Sequence, residues 1–420
     1  MSLVPRQFPN EGRDPFEHRF DAILAEIAIN VQLPPGLHAL AVARYEAIRK
    51  HIERDGSPLQ DLVRIFYPQG SMAIDATISS RWTDEDYDLD VVADLHVSTD
   101  SDPDAVLDLL YEASKGYNVK RVVRQTRCVT FEYSDGMHID VTPAVRLAGT
   151  PERESVIFHA KENSPAATHM VVDMNAWGFA RWFTGRTPYE RKFADAYSRR
   201  LREERGWLAE RADAEVEDVP PQTAFEIKNS AVVALQLLKR MRNVVYGERP
   251  GRIPPSVMLS CFAGHAASPD QKLSDMLIRL CRFVKRDLDA ATAEGRLVHV
   301  CNPAHPDDVF TDRWPETLTQ QREFSGILGR FVADLEAIRD RDMPLVEVTD
   351  RLRTWFGKGV VGRVIEDQMR RTGKVVADGG HSYFRHGGLR LHKAPGLLTG
   401  VAAVTPVAAR PHTFYGDRVG

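Results

Sequence analysis

Across Tyr87–Val92 (YDLDVV) acidic and apolar residues alternate, so a strand there turns Leu89 and Val91 to one side and Asp88 and Asp90 to the other. The same period of two returns in Met137–Ala144 (MHIDVTPA), setting His138, Asp140 and Thr142 opposite Ile139 and Val141. Arg127–Tyr133 (RCVTFEY) reads as the partner strand, with Ser134-Asp135-Gly136 as the hairpin turn. Upstream, helical spacing predicts two helices, Arg19–Gln32 and Gly36–Arg54, the second placed to serve as a spine between two lobes. Ser101-Asp102-Pro103 starts a short helix that ends near Glu112. The strands stop near Ala144, and from about Asn163 the period is helical. Helices are predicted over Asp173–Thr184, the densely charged Pro188–Arg211, Phe225–Tyr246 and, behind Pro254-Pro255, from Ser256 onward. Glu215–Pro221 (EVEDVPP) reads as a linker. Beyond Gly373 the period fails, and the tail reads as coil with two short aromatic elements, His381–Phe384 and His412–Gly416. The whole is α+β, divided into 1–160, 161–372 and a tail, 373–420.

Composition narrows the class. Of 420 residues, 43% are hydrophobic and 27% charged, which is ordinary for a globular chain. A net charge of −4 argues against a protein that coats nucleic acid, although a local basic cleft is compatible with it. Cys128, Cys261, Cys281 and Cys301 show no zinc spacing and read as reduced, buried thiols. No apolar run has membrane-spanning length, and the irregular first 16 residues lack a signal-peptide core, so a cytoplasmic, membrane-free protein is expected. Lys120, Arg121, Arg124 and Arg127 form a basic patch that reads first as a solvated strand face, with contact to nucleotide phosphates or an RNA as the alternative.

The acids carry the chemistry. Asp88 and Asp90 on one strand face repel each other, and a fold that holds them there supplies a cation; hard oxygen donors suit Mg²⁺ or Mn²⁺. An isolated Asp-x-Asp is most often a solvated turn, and Asp84, Glu85 and Asp86 fit that description. The pair at Asp88 and Asp90 differs in three respects. Gly70-Ser71 precedes it, it opens an apolar strand, and Asp140 sits on a second well-formed strand. A glycine at 70 admits close approach of a phosphate, and the Ser71 hydroxyl can donate to it. Gly-Ser, then Asp-x-Asp, then a lone strand Asp resembles the DNA-polymerase-β-like nucleotidyltransferase superfamily. The resemblance implies a mixed-sheet lobe joined to a helical lobe with the active site in the cleft. It also implies two metal ions held by Asp88, Asp90 and Asp140, roughly 3.5–4 Å apart, clamping an in-line displacement at the α-phosphate.

A narrower resemblance rests on YPQGSMA, DYDLDVV, HIDVTPAV, LQLLKRMR, PPSVMLSCFA, NPAHPDDVFTDRW and LRTWFG, which together span Tyr67–Gly357. This set resembles the bacterial cGAS-like nucleotidyltransferases, the CD-NTases of CBASS anti-phage defence. It implies Mg²⁺-dependent joining of ATP and other nucleoside triphosphates into a cyclic di- or trinucleotide that activates a downstream effector. It makes 1–160 the catalytic core with its N-terminal spine helices and 161–372 the helical nucleotide-binding lobe. Carried over by position, it adds Lys239 and Ser256 as triphosphate contacts beside Gln69, Gly70 and Ser71. Gln69 and Thr77 are expected to support the loop's shape, and Asn302, Arg313 and Trp314 to hold the helical lobe together. The resemblance also implies conjugation of the C-terminal Gly420 by a ubiquitin-transfer-like or other regulatory partner; the plain alternative is a frayed terminus. Two further readings stand beside the synthase: a transferase acting on an RNA or protein acceptor, and a non-catalytic nucleotide sensor. The sensor requires one acid of the three to be lost, and none is.

Overall fold

A computed structural model describes residues 14–33, 35–79, 87–212, 229–247, 249–377, 381–383 and 389–391; the side chains of 35, 87, 88, 204–212 and all after 371 are outside the description. The acidic turn Asp84–Asp86, the Glu215–Pro221 linker, the His412–Gly416 element and Gly420 therefore lie outside the described residues.

The chain opens with α1 (Arg19–Val31) and α2 (Pro35–Ile52), then β1 (Val63–Pro68), the four-residue α3 (Gly70–Ala73) and β2 (Tyr87–Leu95). Next come α4 (Pro103–Ser114), β3 (Arg121–Arg124), β4 (Val129–Glu132), β5 (Met137–Arg146), β6 (Ser155–His159) and β7 (Met170–Met174). The remainder is mostly helical: α5 (Ala176–Arg186), α6 (Arg191–Ala212), α7 (Ser230–Tyr246), α8 (Ser256–Ala266) and α9 (Leu273–Ala293). A small hairpin of β8 (Cys301–Asn302) and β9 (His305–Val309) precedes α10 (Leu318–Asp340), α11 (Leu345–Phe356) and α12 (Lys358–Ala377), and a last hairpin pairs β10 (His381–Tyr383) with β11 (Leu389–Leu391).

Seven strands form one mixed sheet, in which β1-β2-β5-β4-β3 lie side by side and β6 and β7 extend it from β5. Only β2 and β5 run parallel; the other pairs are antiparallel. The alternation in the sequence decides what each face does. Leu89, Val91 and Ala93 of β2 and Ile139 and Val141 of β5 pack with Phe131 into a core closed by buried residues of α2 and α4. The opposite face carries Asp90 and Asp140 and, further along the strands, a small apolar cluster of Tyr67, Val92, Ala144, Ile157 and Met174. The sheet thus runs past Ala144, where the sequence pattern ends it, and takes in β7 in the region whose period reads as helical. The apolar run of β6 and the exposed β7 lack a clean alternation, which is why they read poorly.

The second core belongs to the helices, with α7 at its centre; every residue of α7 from Ser230 to Arg242 is buried. α1 is sunk into this body, buried from Phe20 to Val31. Its buried Glu26 is met by Arg371 at 3.2 Å and by Gln368, both on α12. α2, by contrast, joins the sheet's core through Ala41, Ile48 and Ile52. The spine role expected of α2 is therefore not what the structure has. α1 is the helix with apolar residues all round, and the chain passes between the two bodies at Leu33. The helical period also outlasts Gly373, since α12 continues to Ala377. No helix among the described residues is long and apolar enough to cross a membrane.

Phe131 is fully buried at the centre of the sheet's core, edge-on to Tyr117 at 5.5 Å. Truncating it leaves a cavity bounded by strands that cannot close over it. Phe131→Ala is expected to destabilise the catalytic sheet by about 3–5 kcal/mol. Urea or thermal unfolding followed by circular dichroism measures this, and an unchanged midpoint would contradict the assigned core.

Candidate active site

Asp90 and Asp140 are direct register partners on the parallel strands β2 and β5. Adjacent strands lie roughly 4.8 Å apart, so the two carboxylates rise side by side from one sheet face. Thr130, the register partner of Asp140 on β4, donates its hydroxyl to Asp140 Oδ1 at 2.6 Å. That neutral donor orients Asp140 without cancelling its charge. Asp88 precedes Asp90 by one turn of the pleat, and its backbone pairs with His138; its side chain lies outside the described residues. Among the described residues no three His, Cys, Asp or Glu side chains group into a metal site. Two hard carboxylates held in register, with a third acid on the same strand, nevertheless fit a divalent cation by the chemistry of their donors.

The loop between β1 and β2 is built against these acids. Gly70 has φ +61°, and a Cβ added there would stand 2.4 Å from Asp90 Oδ2. Only a glycine fits, both for its left-handed backbone and for its distance from the carboxylate. The backbone N–H of Gln69 donates to the Asp90 carbonyl at 2.8 Å, and Gln69 Nε2 reaches Thr142 Oγ1 at 3.3 Å, so the loop is tied to both strands. Ser71 and Thr77 share a hydrogen bond of 3.3 Å across the loop. Asp75 takes a positive φ of 56°, tolerated by a short polar side chain, and turns the chain back.

From the other body, α7 grips the same loop. Gln236 Nε2 donates to the carbonyls of Asp75 (3.5 Å) and Thr77 (3.2 Å), and Lys239 Nζ donates to that of Ala76 at 2.9 Å. One helical turn therefore holds three consecutive carbonyls. Lys239 is buried beneath the loop, at 3% exposure. Its ammonium supports the loop from below, so the structure does not bring it into the wall of the cleft. Burial, with Arg242 adding to it and Asp90 opposing, pulls its pKa down to about 7. Ser256 begins α8 between Pro255 and Val257, both of which line the cleft.

The cleft itself is a cavity of about 650 Å³, with Gln69, Gly70 and Asp90 on one wall and Phe179, Phe310 and Val257 on another. Three arginines also line it: Arg127, Arg252 and Arg313. Arg127 crosses between the two bodies, pairing with Asp312 while its Nε donates to His159 Nδ1 at 2.9 Å. Burial and then the neighbouring Arg252 and Arg127 lower the pKa of Arg313, which marks a concentration of positive charge. The basic run 120–127 is thus not one solvated face. Arg121 pairs with Glu132 at the surface, Arg124 is buried against Asp104 and Asp108, and Arg127 belongs to the cleft. Asn302 and Trp314 are buried, and Trp314 lines the cavity together with Arg313. Cys128 stands beside the acids: its thiol is pushed up by burial, and Asp140 and Asp90 push it further. Sequence spacing gave no signal for Cys128, Arg252 or Asp308 as cleft residues, since each arrives there by tertiary folding alone.

Lys239 supplies a test of the clamp in the ligand-free protein. The folded chain releases its proton near pH 7, whereas the unfolded chain holds it to 10.5. The unfolded state therefore binds more protons between those values, and stability rises with pH across that window. Lys239→Met removes the buried cation. Its melting temperature relative to wild type is expected to be highest near ~pH 6 and to fall steadily towards ~pH 10. Melting curves of both proteins across that range measure it, and a pH-independent difference would overturn the assignment of a buried, titrating lysine.

Residues 18–160 match the Second Messenger Oligonucleotide or Dinucleotide Synthetase domain family. The cyclic dinucleotide synthase CdnG of Bradyrhizobium diazoefficiens is 50% identical over 405 residues, covering 96% of each chain. The solved structure of the CdnG CD-NTase from that organism in complex with GTP superposes with a TM-score of 0.75, covering 84% of this chain and 99% of that one. The c-di-GMP synthase of Roseivirga ehrenbergii is 20% identical over 398 residues, covering 94% of this chain and 96% of that one. With the paired acids, the glycine loop and the cleft between two bodies in place, this chain belongs to the CD-NTases, nucleotidyltransferases that condense nucleoside triphosphates into cyclic oligonucleotides.

Proposed function

We propose that the protein condenses GTP into a cyclic dinucleotide, releasing pyrophosphate, with Asp88, Asp90 and Asp140 holding Mg²⁺ or Mn²⁺. The observation that carries this reading is the register of Asp90 and Asp140 beneath a loop whose glycine no other residue can replace. The choice of GTP is supported by the CdnG relative, solved in complex with that nucleotide, and by the more distant relative, a c-di-GMP synthase. When bound, two divalent ions lower the pKa of the attacking sugar hydroxyl and neutralise charge on the leaving pyrophosphate. The chain's own part is to position. Gly70 and Ser71 receive the triphosphate, and Gln69 keeps their loop in register with β2. Gln236 and Lys239 brace the loop from α7, with Ser256 at the cavity's edge as a further phosphate contact. Arg127, Arg252 and Arg313 add positive charge facing an anionic substrate.

The same reading makes residues 1–160 the catalytic unit and 161–372 the nucleotide-binding one, with β7 lent to the sheet by the second. It places the protein in the cytoplasm, in CBASS anti-phage signalling, where the cyclic product acts on an effector.

Purified protein given GTP and Mg²⁺ is expected to yield a phosphatase-resistant cyclic product that Asp88→Asn/Asp90→Asn abolishes, a loss of about 100-fold or more. Wild-type yield from that double variant, read by chromatography of labelled product, would refute the metal-site assignment. Gly70→Ala is expected to lose activity to a similar degree while melting within a few degrees of wild type, because the added methyl displaces the Asp90 carboxylate. Retention of more than about half the wild-type rate would show that the loop can yield, contrary to its bonds on both sides.

A further inference from the structure

The β8–β9 hairpin brings one carboxylate, Asp308, into the wall of the cavity among Phe179, Phe310, Ala176 and Val309. Phe179 and Phe310 meet edge-on there, with ring centroids 5.1 Å apart. Asp308 is fixed through a single oxygen. Oδ2 accepts from the backbone N–H of Asn175 at 3.0 Å and from Asn302 Nδ2 at 2.9 Å. Asn302 is in turn held by the Asn175 carbonyl at 2.8 Å. Burial raises the Asp308 pKa, and the Asn302 and Asn175 donors together with His305 work against that rise. Oδ1 takes neither of these bonds. An acceptor in a fixed place, carried by an aromatic and aliphatic wall, is how a site chooses between flat heterocycles.

The four bases differ in what they would offer it. Guanine presents a ring N–H beside an exocyclic amino group, two adjacent donors that one carboxylate can accept from, with the O6 acceptor on the far side of the N–H. Adenine and cytosine present an amino group beside a ring nitrogen lone pair, which a carboxylate repels. Uracil offers a single N–H flanked by carbonyl oxygens. We propose that Asp308 is the base-selecting residue of the cavity, accepting from the N–H edge of guanine and thereby favouring GTP over ATP. This rests on the reading of the cavity as the nucleotide site. The asparagine substitution has a directional consequence. Asn175 and Asn302 donate to one oxygen, so an amide at 308 keeps its carbonyl on that side and turns its NH₂ into the cavity. A donor there suits the adenine lone pair and opposes the guanine N–H.

The test measures thermal stabilisation and product formation with GTP, ATP, inosine triphosphate and N1-methyl-GTP. In the wild type, GTP is expected to bind about tenfold or more tightly than ATP or N1-methyl-GTP, with inosine triphosphate between. In Asp308→Asn the GTP-to-ATP ratio is expected to fall by about tenfold or more, with ATP binding kept or improved. A substitution that only loosened the hairpin would weaken both nucleotides together and leave the ratio unmoved, and that result would overturn the assignment. If Asp308→Asn does not fold, the wild type alone decides, since equal binding of GTP and N1-methyl-GTP removes the carboxylate's role. Binding of all four with no discrimination sinks the Asp308 assignment and leaves the nucleotide site standing. No stabilisation by any of them sinks both.

Discussion

Two carboxylates in direct register on neighbouring parallel strands are what the rest of this molecule is arranged to keep. Asp90 and Asp140 stand opposite one another because β2 and β5, alone in the sheet, run parallel. Each belongs to a strand whose other face is fully buried. A slip of one residue would turn the acids into the core and the core into solvent, so apolar burial fixes the position of the charges. Like charges placed so close resist folding, and the surroundings bear on that cost in a graded way. Thr130 donates a neutral hydroxyl to one of them. Lys239 lies near enough to be sensed by Asp90, yet it is bonded to a carbonyl and buried until its own proton is loosely held. The fold thus sets a neutral donor on Asp140 and a buried, loosely protonated lysine near Asp90.

The cavity carries charge of both signs. Asp90 stands with Gly70, Asp308 and Asp312 come from the helical body, and Arg127, Arg252 and Arg313 come from elements around them. A net negative chain thus brings three guanidinium groups to the walls that meet a triphosphate. This arrangement depends on both bodies. Asp90 and Arg127 come from the sheet, Arg252 from the segment ahead of α8, and Arg313 from the segment ahead of α10. Neither half alone encloses the site.

Much of this was legible in the chain. The strands of the acids were plain because their alternation is strict and their faces differ sharply in polarity. The glycine of the loop could be singled out because it stands just ahead of an Asp-x-Asp strand. What failed to read has a common cause. α1 and α2 both show helical spacing, and which body each enters depends on the polarity of the side that spacing leaves over. Arg124 and Arg127 look alike in sequence, yet one is buried against two aspartates and the other spans the cleft. Arg313 and the buried Trp314 are neighbours that both line the cavity, one as an exposed cation and one as a packed ring. Lys239 lies on a helix that is buried all round, so no periodicity could say which carbonyl each of Lys239, Arg240 and Arg242 would meet. Cys128 and Asp308 carry no local pattern, since their neighbours come from distant parts of the chain.

The loop between β1 and β2 is where the two bodies are mechanically joined, and that sets how the cleft can move. On the sheet side Gln69 is bonded to β2 and β5; on the helical side α7 holds the carbonyls of residues 75–77. α1 adds a second tie, since the Ser79 N–H donates to the Val31 carbonyl at 2.7 Å. The edge of the sheet adds a third tie, with the Asn175 N–H donating to Asp308 Oδ2 at 3.0 Å and His305 standing 3.6 Å from Glu154. The two bodies are thus joined on either side of the cavity, and the Arg127–Asp312 pair, bonded through partly exposed side chains, is the contact that costs least to open. Asp90 and Asp140 lie beside the loop, among the best-tied residues, and a site that positions reacting atoms within fractions of an ångström is served by that placement.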